Sequence, residues 1–461
     1  MTSALRPRAA LCGATLLLSL AACHTGQLAP TARSASQDTA LINRDITYLA
    51  SDALEGRGTG TAGNDSAAAY IARLYASLGL APVPVMGTRG SCPADFTEGF
   101  RCSPEYMQRF FATSVAAAHA GLSTSLPTQN VVAIVKGSDP QLATEYVVFG
   151  AHYDHLGRNT FGAMDPDSGA LIRHGADDNA SGTAAVMELA RLFAKHPTKR
   201  SLMFIDFSGE ELGTLGSMYF VEHPPVPLES MIVMLNFDMV GRLRDGKLLV
   251  YGVATATQLK PLVDSMNLAL GHLDSLKKPV GLFDIAAMGD GYGPSDHASF
   301  YGAGVPVLHF FTDVHEDYHR ASDVASKINI LGEAKVIDFA AALGRELGDR
   351  PSRLTYVKAP PPTMGRGPGM GNGTWFGSVP DMGAAGVVGV RLAGVTPGSP
   401  AEIAGAKKGD VIVEFGGDPI KDIYEFTAAL AKHHPGETIQ VVVMRDGERV
   451  TLTATLGKRT S

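Results

Sequence analysis

Residues 146–155 read YVVFGAHYDH, an unbroken apolar run that ends in a cluster of ionisable side chains. Two later stretches repeat the pattern. Tyr146 to Gly150 delivers Ala151-His152-Tyr153-Asp154-His155; Ser201 to Ser208 (SLMFIDFS) delivers Gly209-Glu210-Glu211; Met231 to Phe237 (MIVMLNF) delivers Asp238. Strands that are apolar throughout belong to sheets covered on both faces. In open α/β sheets the functional groups gather beyond the carboxyl ends of the strands. The three polar endings are therefore expected to meet in one crevice.

Working outward, helical spacing marks Asn64 to Leu78, with Tyr70, Ile71, Leu74 and Leu78 on one face, and Ser181 to Ala194, with Ser181 as cap. Strands are expected at Asn130 to Lys136, Lys247 to Tyr251 and Val305 to Phe310, and helices near Thr257 to Leu270 and Ile330 to Leu347. The alternation predicts an α/β domain over residues 39–350, with a mixed, mostly parallel central sheet and helices on both faces. Pro and Gly then crowd Ala359 to Gly373 (APPPTMGRGPGMGNG), which reads as a linker over residues 351–373. Beyond it, residues 374–461 read as a small β-rich domain. Strands are expected at Val387 to Val395, Asp410 to Phe415, Thr438 to Met444 and Val450 to Ala454, with a helix at Ile423 to Ala431. Asp446-Gly447 between β-type runs is a hairpin signal.

The chain has 461 residues, 45% apolar and 18% charged, with a net charge of −7. That balance suits packed globular structure and argues against nucleic acid as a partner. Residues 1–23 read as an export signal, with Arg6 and Arg8 ahead of the apolar run Ala9 to Leu20. Its closing tetrad, Leu20-Ala21-Ala22-Cys23, resembles the bacterial lipoprotein box. That makes Cys23 the expected lipidation site, residues 24–38 a flexible tether, and the outer membrane, facing periplasm or cell surface, the expected location. Cys92 and Cys102, an isolated pair in a Gly/Pro-rich stretch of an exported chain, read as one disulfide.

Histidines and carboxylates are the ligands zinc takes readily, and a ligating imidazole wants its other nitrogen anchored. His152 and Asp154 offer ligand and anchor from one strand end. In Gly175-Ala-Asp177-Asp178-Asn179-Ala-Ser181-Gly182, capping by Ser181 or Asn179 still leaves one Asp free. Glu210-Glu211 is the sharpest pair, because two adjacent acids at the end of an apolar strand are costly unless a cation sits nearby. The residues alone leave His297, His315 and His319 open as the last ligand.

Six ordered motifs resemble the secreted dizinc aminopeptidases of bacteria and fungi (metallopeptidase family twenty-eight), relatives of the transferrin-receptor ectodomain. They are Gly150-Ala-His152-Tyr-Asp154, Asp178-Asn-Ala-Ser-Gly182, Gly209-Glu210-Glu211-Leu-Gly213, Leu235-Asn-Phe-Asp238-Met239, Ser295-Asp-His297 and Tyr318-His319. The resemblance implies two zinc ions, one on His152 and Asp238, the other on Glu211 and His319, with Asp178 shared. It implies Glu210 as general acid/base, Asp154 as the group orienting His152, and Tyr292 as donor to the developing oxyanion. Met239 and Phe311 are then expected to line the first side-chain pocket. The activity implied is removal of the N-terminal residue from peptides or proteins. A dizinc carboxypeptidase or dipeptidase, with Arg242 as the nearest cation, and a non-catalytic peptide-binding protein are the rival readings. Thr396-Pro-Gly398-Ser-Pro400-Ala401 and Lys408-Gly409-Asp410-Val-Ile412 resemble bacterial PDZ domains. On that likeness Trp375-Phe376-Gly377 would receive a peptide C-terminus.

Overall fold

The computed structural model describes residue 1 and residues 38–82, 106–113, 125–159, 162–165, 169–358, 374–380, 388–396, 398–421, 425–426, 429–430 and 432–458. Cys23, Cys92, Cys102, the tether up to residue 37, the Pro/Gly-rich run 359–373 and most of the helix read at 423–431 lie outside the described residues. Among the described residues no helix is long and apolar enough to cross a membrane.

Strands β1 (Ala81–Pro82), β2 (Met107–Thr113), β3 (Ser125–Val135), β4 (Tyr146–His152), β5 (Ser201–Phe207), β6 (Met231–Phe237) and β7 (Lys247–Tyr251) lead the larger domain. A short ribbon follows, β8 (His272–Leu273) with β9 (Pro279–Val280), then β10 (Asp284–Ala287) and β11 (Val307–Phe311). All but the ribbon join one sheet in the order β1-β3-β5-β4-β6-β11-β7-β10, with β2 also on β3. The centre, β5-β4-β6-β11, is parallel, whereas β3 on β5 and β7 on β11 are antiparallel. β5 and β6 flank β4 on opposite sides, so the chain reverses its direction of progress across the sheet there. Such a reversal opens a crevice at the strand ends.

Among the described residues seven helices cover the faces: α1 (Thr39–Leu49), α2 (Ala62–Ser77), α3 (Gly182–Lys195), α4 (Leu215–Glu222), α5 (Leu259–Ala269), α6 (His297–Gly302) and α7 (Ile330–Asp349). Alternation along the strands divides the core into two layers. Val147 and Phe149 of β4, with Leu202 and Phe204 of β5, pack with α1, α2, α3 and α7. Val148, Met203, Ile205 and Phe207 pack on the other side with Phe220 of α4 and Phe300 of α6. Gly150 lies where a side chain would not fit, since a Cβ there would come within 2.8 Å of both Met234 and Phe207.

The strand and helix positions agree with the sequence reading to within a few residues, except that β3 begins five residues before the expected Asn130. Ser181, expected as a cap, is itself helical and makes no side-chain cap bond. Asn179 does the capping, its Oδ1 accepting from the Gly182 N–H at 2.9 Å.

The smaller domain is an antiparallel sheet. Ser378–Pro380, Val390–Val395, Val411–Phe415, Thr438–Arg445 and Glu448–Thr455 pair in that order. Its own core includes Phe376, Ile412, Phe415 and Val441. Asp446 (φ 52°) and Gly447 (φ 85°) make the tight hairpin that their residue types call for.

One core acid gives this fold a pH signature. Asp206 of β5 is fully buried, with Oδ2 accepting from the Tyr75 hydroxyl at 2.6 Å, and burial pushes its carboxyl up to about 8. An unfolded aspartate titrates near about 3.9. Between those values the folded chain holds a proton that the unfolded chain has lost, so the stability present at low pH drains away as pH rises. Urea unfolding at several pH values should show this as a slope of up to about 1.4 kcal/mol per pH unit, absent from Asp206→Asn. An identical pH dependence in the variant would refute the assignment.

Candidate metal centre

Five side chains from five parts of the sequence meet beyond β4, β5 and β6. His152 ends β4, Glu211 follows β5, Asp238 follows β6, Asp178 precedes α3, and His319 lies between β11 and α7. His152 Nε2 lies 3.4 Å from Asp178 Oδ1 and 3.4 Å from Asp238 Oδ1. His319 Nε2 lies 3.1 Å from Asp178 Oδ2 and 3.2 Å from Glu211 Oε2. A tetrahedral sphere with zinc–ligand bonds of about 2.0–2.1 Å has donor–donor edges of about 3.3–3.4 Å. The donor set therefore fits zinc. Each oxygen of Asp178 serves a different histidine.

The neighbours of Asp178 explain its orientation. Asp323 Oδ2 accepts from the N–H groups of both Asp177 and Asp178, at 2.9 and 3.1 Å. Asp177 is committed elsewhere: its Oδ1 accepts from Gly241 N–H at 2.7 Å, and its Oδ2 lies 3.0 Å from His315 Nε2. Asn179 donates to the Phe237 carbonyl and accepts from the Met239 N–H, so the turn bearing Asp178 is stapled to the strand end bearing Asp238. Met239 and His319 both adopt left-handed backbone, at φ 51° and 54°. Such non-glycine conformations cost of order 1–3 kcal/mol and cluster at functional sites.

Beneath the centre lies Arg57, fully buried and overlooked in the sequence reading. Its guanidinium donates to the carbonyls of Tyr153, His174 and Gly175, tying the exit of β4 to the turn before Asp178. Burial lowers it to about 10, against the pull of Asp154, Asp178, Asp323 and Glu211, so it stays charged near neutral pH. The only sequence signal was a lone Arg in the glycine-rich run Gly56-Arg57-Gly58-Thr59-Gly60.

Asp154 meets His152 through its backbone rather than its carboxylate. The His152 Nδ1 donates to the Asp154 backbone carbonyl at 3.1 Å, while the carboxylate stands 3.8 Å away. That carboxylate accepts instead from the Thr59 hydroxyl at 2.7 Å and from the Glu210 N–H at 3.2 Å. It thereby orients Glu210, whose Oε2 lies 3.9 Å from His152 Nε2.

Charge is concentrated in this crevice. Burial, reinforced by Glu211, Asp238 and Asp296, holds the Glu210 carboxyl well above its usual range despite the pull of His152. For Glu211 burial is outweighed by His319 and His155, which bring it down to about 2. Burial also pulls His152 and His319 down, but the surrounding carboxylates win and hold both well above the ordinary imidazole range. A cation taken up here displaces those protons.

A pocket of about 100 Å³ opens on the centre, lined in part by Glu210, Asp238, Met239, Tyr251, His309 and Phe311. No lysine or arginine is among its described lining residues. Met239 and Phe311 stand where expected. Tyr292 does not line the pocket: its half-buried ring packs edge-on against Tyr301, with centroids 5.0 Å apart. Tyr318, which does line it, stacks on His319 at 3.9 Å. His297 stacks on His309 at 4.3 Å, and Arg242 bonds to Asp317 and the Lys327 carbonyl. A second cavity of about 330 Å³ opens beside Glu211 and His155, where Arg158 pairs with Glu55 at 3.3 Å.

In the smaller domain Phe376 is a core residue, packed edge-on against Phe415, and Trp375 is half-buried. Gly377 has φ 84° and no room for a Cβ, which would come within 2.2 Å of the Ser399 Cβ.

Residues 130–343 match the model of peptidase family M28, and residues 362–456 match that of the PDZ domain. Aminopeptidase YwaD of Bacillus subtilis is 29% identical over 213 residues, covering 45% of this chain and 42% of that protein. Leupeptin-inactivating enzyme 1 of Streptomyces exfoliatus is 32% identical over 220 residues, again 45% and 42%. The chain thus spans less than half the length of these curated relatives. A Zn-dependent exopeptidase from Parabacteroides distasonis shares the fold at a TM-score of 0.51 and 18% identity, covering 68% of this chain and 97% of that one. The chain carries a peptidase family M28 domain followed by a PDZ domain.

Proposed function

We propose that the chain is an aminopeptidase that removes N-terminal residues from peptides at two zinc ions, one held by His152 and Asp238, the other by Glu211 and His319, with Asp178 between them. The division of Asp178 between two histidines, at 3.4 and 3.1 Å, carries this reading. Bound there, the ions would supply Lewis acidity to the scissile carbonyl and to an attacking water. Glu210 takes a proton from that water and gives it to the leaving amine, a task for a carboxyl tuned upward by burial. Asp154 holds its backbone in place. The acidic lining, Glu210 and Asp238 with no cationic side chain among the described lining residues, suits a free α-ammonium. It does not suit the substrate carboxylate that a carboxypeptidase or dipeptidase must hold, and Arg242 is committed to Asp317. Met239 and Phe311 give the first side chain an apolar wall.

The PDZ domain is proposed to take a peptide C-terminus at Trp375-Phe376-Gly377. Cys23, in its lipobox-like tetrad, is proposed to carry the lipid that holds the enzyme at the outer membrane.

Glu210→Gln should keep its zinc and lose about 10²–10⁴-fold in kcat. The parent enzyme should cleave N-terminally free peptides, ignore N-acetylated ones and stop on chelation. A Glu210→Gln variant with zinc bound and near-normal turnover would rule Glu210 out as the base. Cys23→Ser should shift the protein from the membrane fraction to the soluble one; continued membrane partition would exclude lipid anchoring at that residue.

A further inference from the structure

We propose that His155 is a positioning residue that clamps one oxygen of Glu211 and so presents the other to the cation shared with Asp178 and His319. This rests on the two-cation reading above.

Two imidazoles approach Glu211, one to each oxygen. His155 Nδ1 lies 2.7 Å from Oε1, and His319 Nε2 lies 3.2 Å from Oε2. His155, Asp178 and Glu211 also lie close enough together to hold a metal, so ligation is the competing role for His155. Hydrogen bonding separates the two histidines. His319 Nδ1 is 2.8 Å from the Gly162 carbonyl and must donate to it, which leaves Nε2 as the lone pair that a cation needs. For His155 the order is reversed. A ligating carboxylate is ionised and only accepts, so His155 Nδ1 at 2.7 Å must carry the proton and has no lone pair to give. Its distance of 3.9 Å from Asp178 Oδ2 is likewise too long for a shared tetrahedral edge. The other ring nitrogen, Nε2, is buried and has no hydrogen-bond partner among the described residues.

The backbone is shaped to admit this ring. His155 is 1% exposed, and Gly175, at φ 56°, lies so close that a Cβ would come within 2.5 Å of His155 Cγ. Any larger residue at 175 would press on the imidazole and also on the Asp178 carbonyl oxygen, 2.1 Å from that Cβ. With Oε1 engaged, Glu211 would offer a cation Oε2 alone, which suits the open position that catalytic zinc sites keep.

The test compares His155→Leu with His155→Asn, side chains of similar size. Only Asn keeps an N–H donor near the place of Nδ1. Zinc affinities of the full-length chain are measured by chelator competition. Leu should weaken one of the two zinc ions about ten- to a hundredfold and leave the other unchanged, while Asn should restore the lost affinity to within a few-fold. His155→Ala, which removes the same N–H donor, should reproduce the selective loss and serves if His155→Leu does not fold. Leu with wild-type affinity for both ions would overturn the clamp. So would Asn losing as much as Leu, which would make His155 a ligand. If the unmodified chain takes up fewer than two zinc ions, the two-cation reading fails instead.

Discussion

Four carboxylates, Asp178, Glu210, Glu211 and Asp238, are forced together where water is largely excluded, and the rest of the larger domain is arranged around that repulsion. Buried acids of like charge either take up protons or find positive partners. Here the two answers are divided among them. Glu210 is driven toward the protonated form, while Asp178 and Glu211 are held ionised by imidazoles. The apolar strands deliver the acids, and the sheet's reversal at β4 supplies the crevice. Polar staples then fix each side chain: Asn179 for the Asp178 turn, Asp154 for Glu210, Asp323 for the backbone beneath.

Much of this was legible in the sequence because strand ends are legible. Period and length located β4, β5 and β6, and the polar residues that follow them reached the centre without further information. Asp177 against Asp178, and His315 against His319, were not separable on spacing. In each case the other residue holds backbone geometry, since Asp177 and His315 bond to each other and Asp177 also accepts from the Gly241 N–H. Sequence patterns carry no record of which side chain is already taken. The same holds at the start of α3, where Ser181 and Asn179 both read as candidate caps: the Ser181 hydroxyl bonds back to Asp177, and Asn179 caps the helix. At Tyr292 the motif offset is met, and the ring packs edge-on against Tyr301 in the apolar layer that includes α6.

The smaller domain was readable for a different reason. Turns with obligatory left-handed residues leave a mark in residue type, and Asp446-Gly447 sets the register of the longest hairpin, with Arg445 opposite Glu448. Ser399 and Glu402 add a reciprocal cap, the hydroxyl accepting from the Glu402 N–H and the carboxylate from the Gly398 N–H. Local chemistry of this kind needs no knowledge of distant contacts.

Arg57 has a consequence for how the protein survives without its ions. A permanent positive charge, locked to four carbonyls, those of Leu49, Tyr153, His174 and Gly175, offsets part of the acidic excess whether or not a divalent ion is present. The demetallated chain should therefore keep its ligand loops assembled and recharge as a preformed receptor, with a rate that rises in proportion to added zinc. A zinc-independent lag in stopped-flow mixing would mean that the loops come apart first.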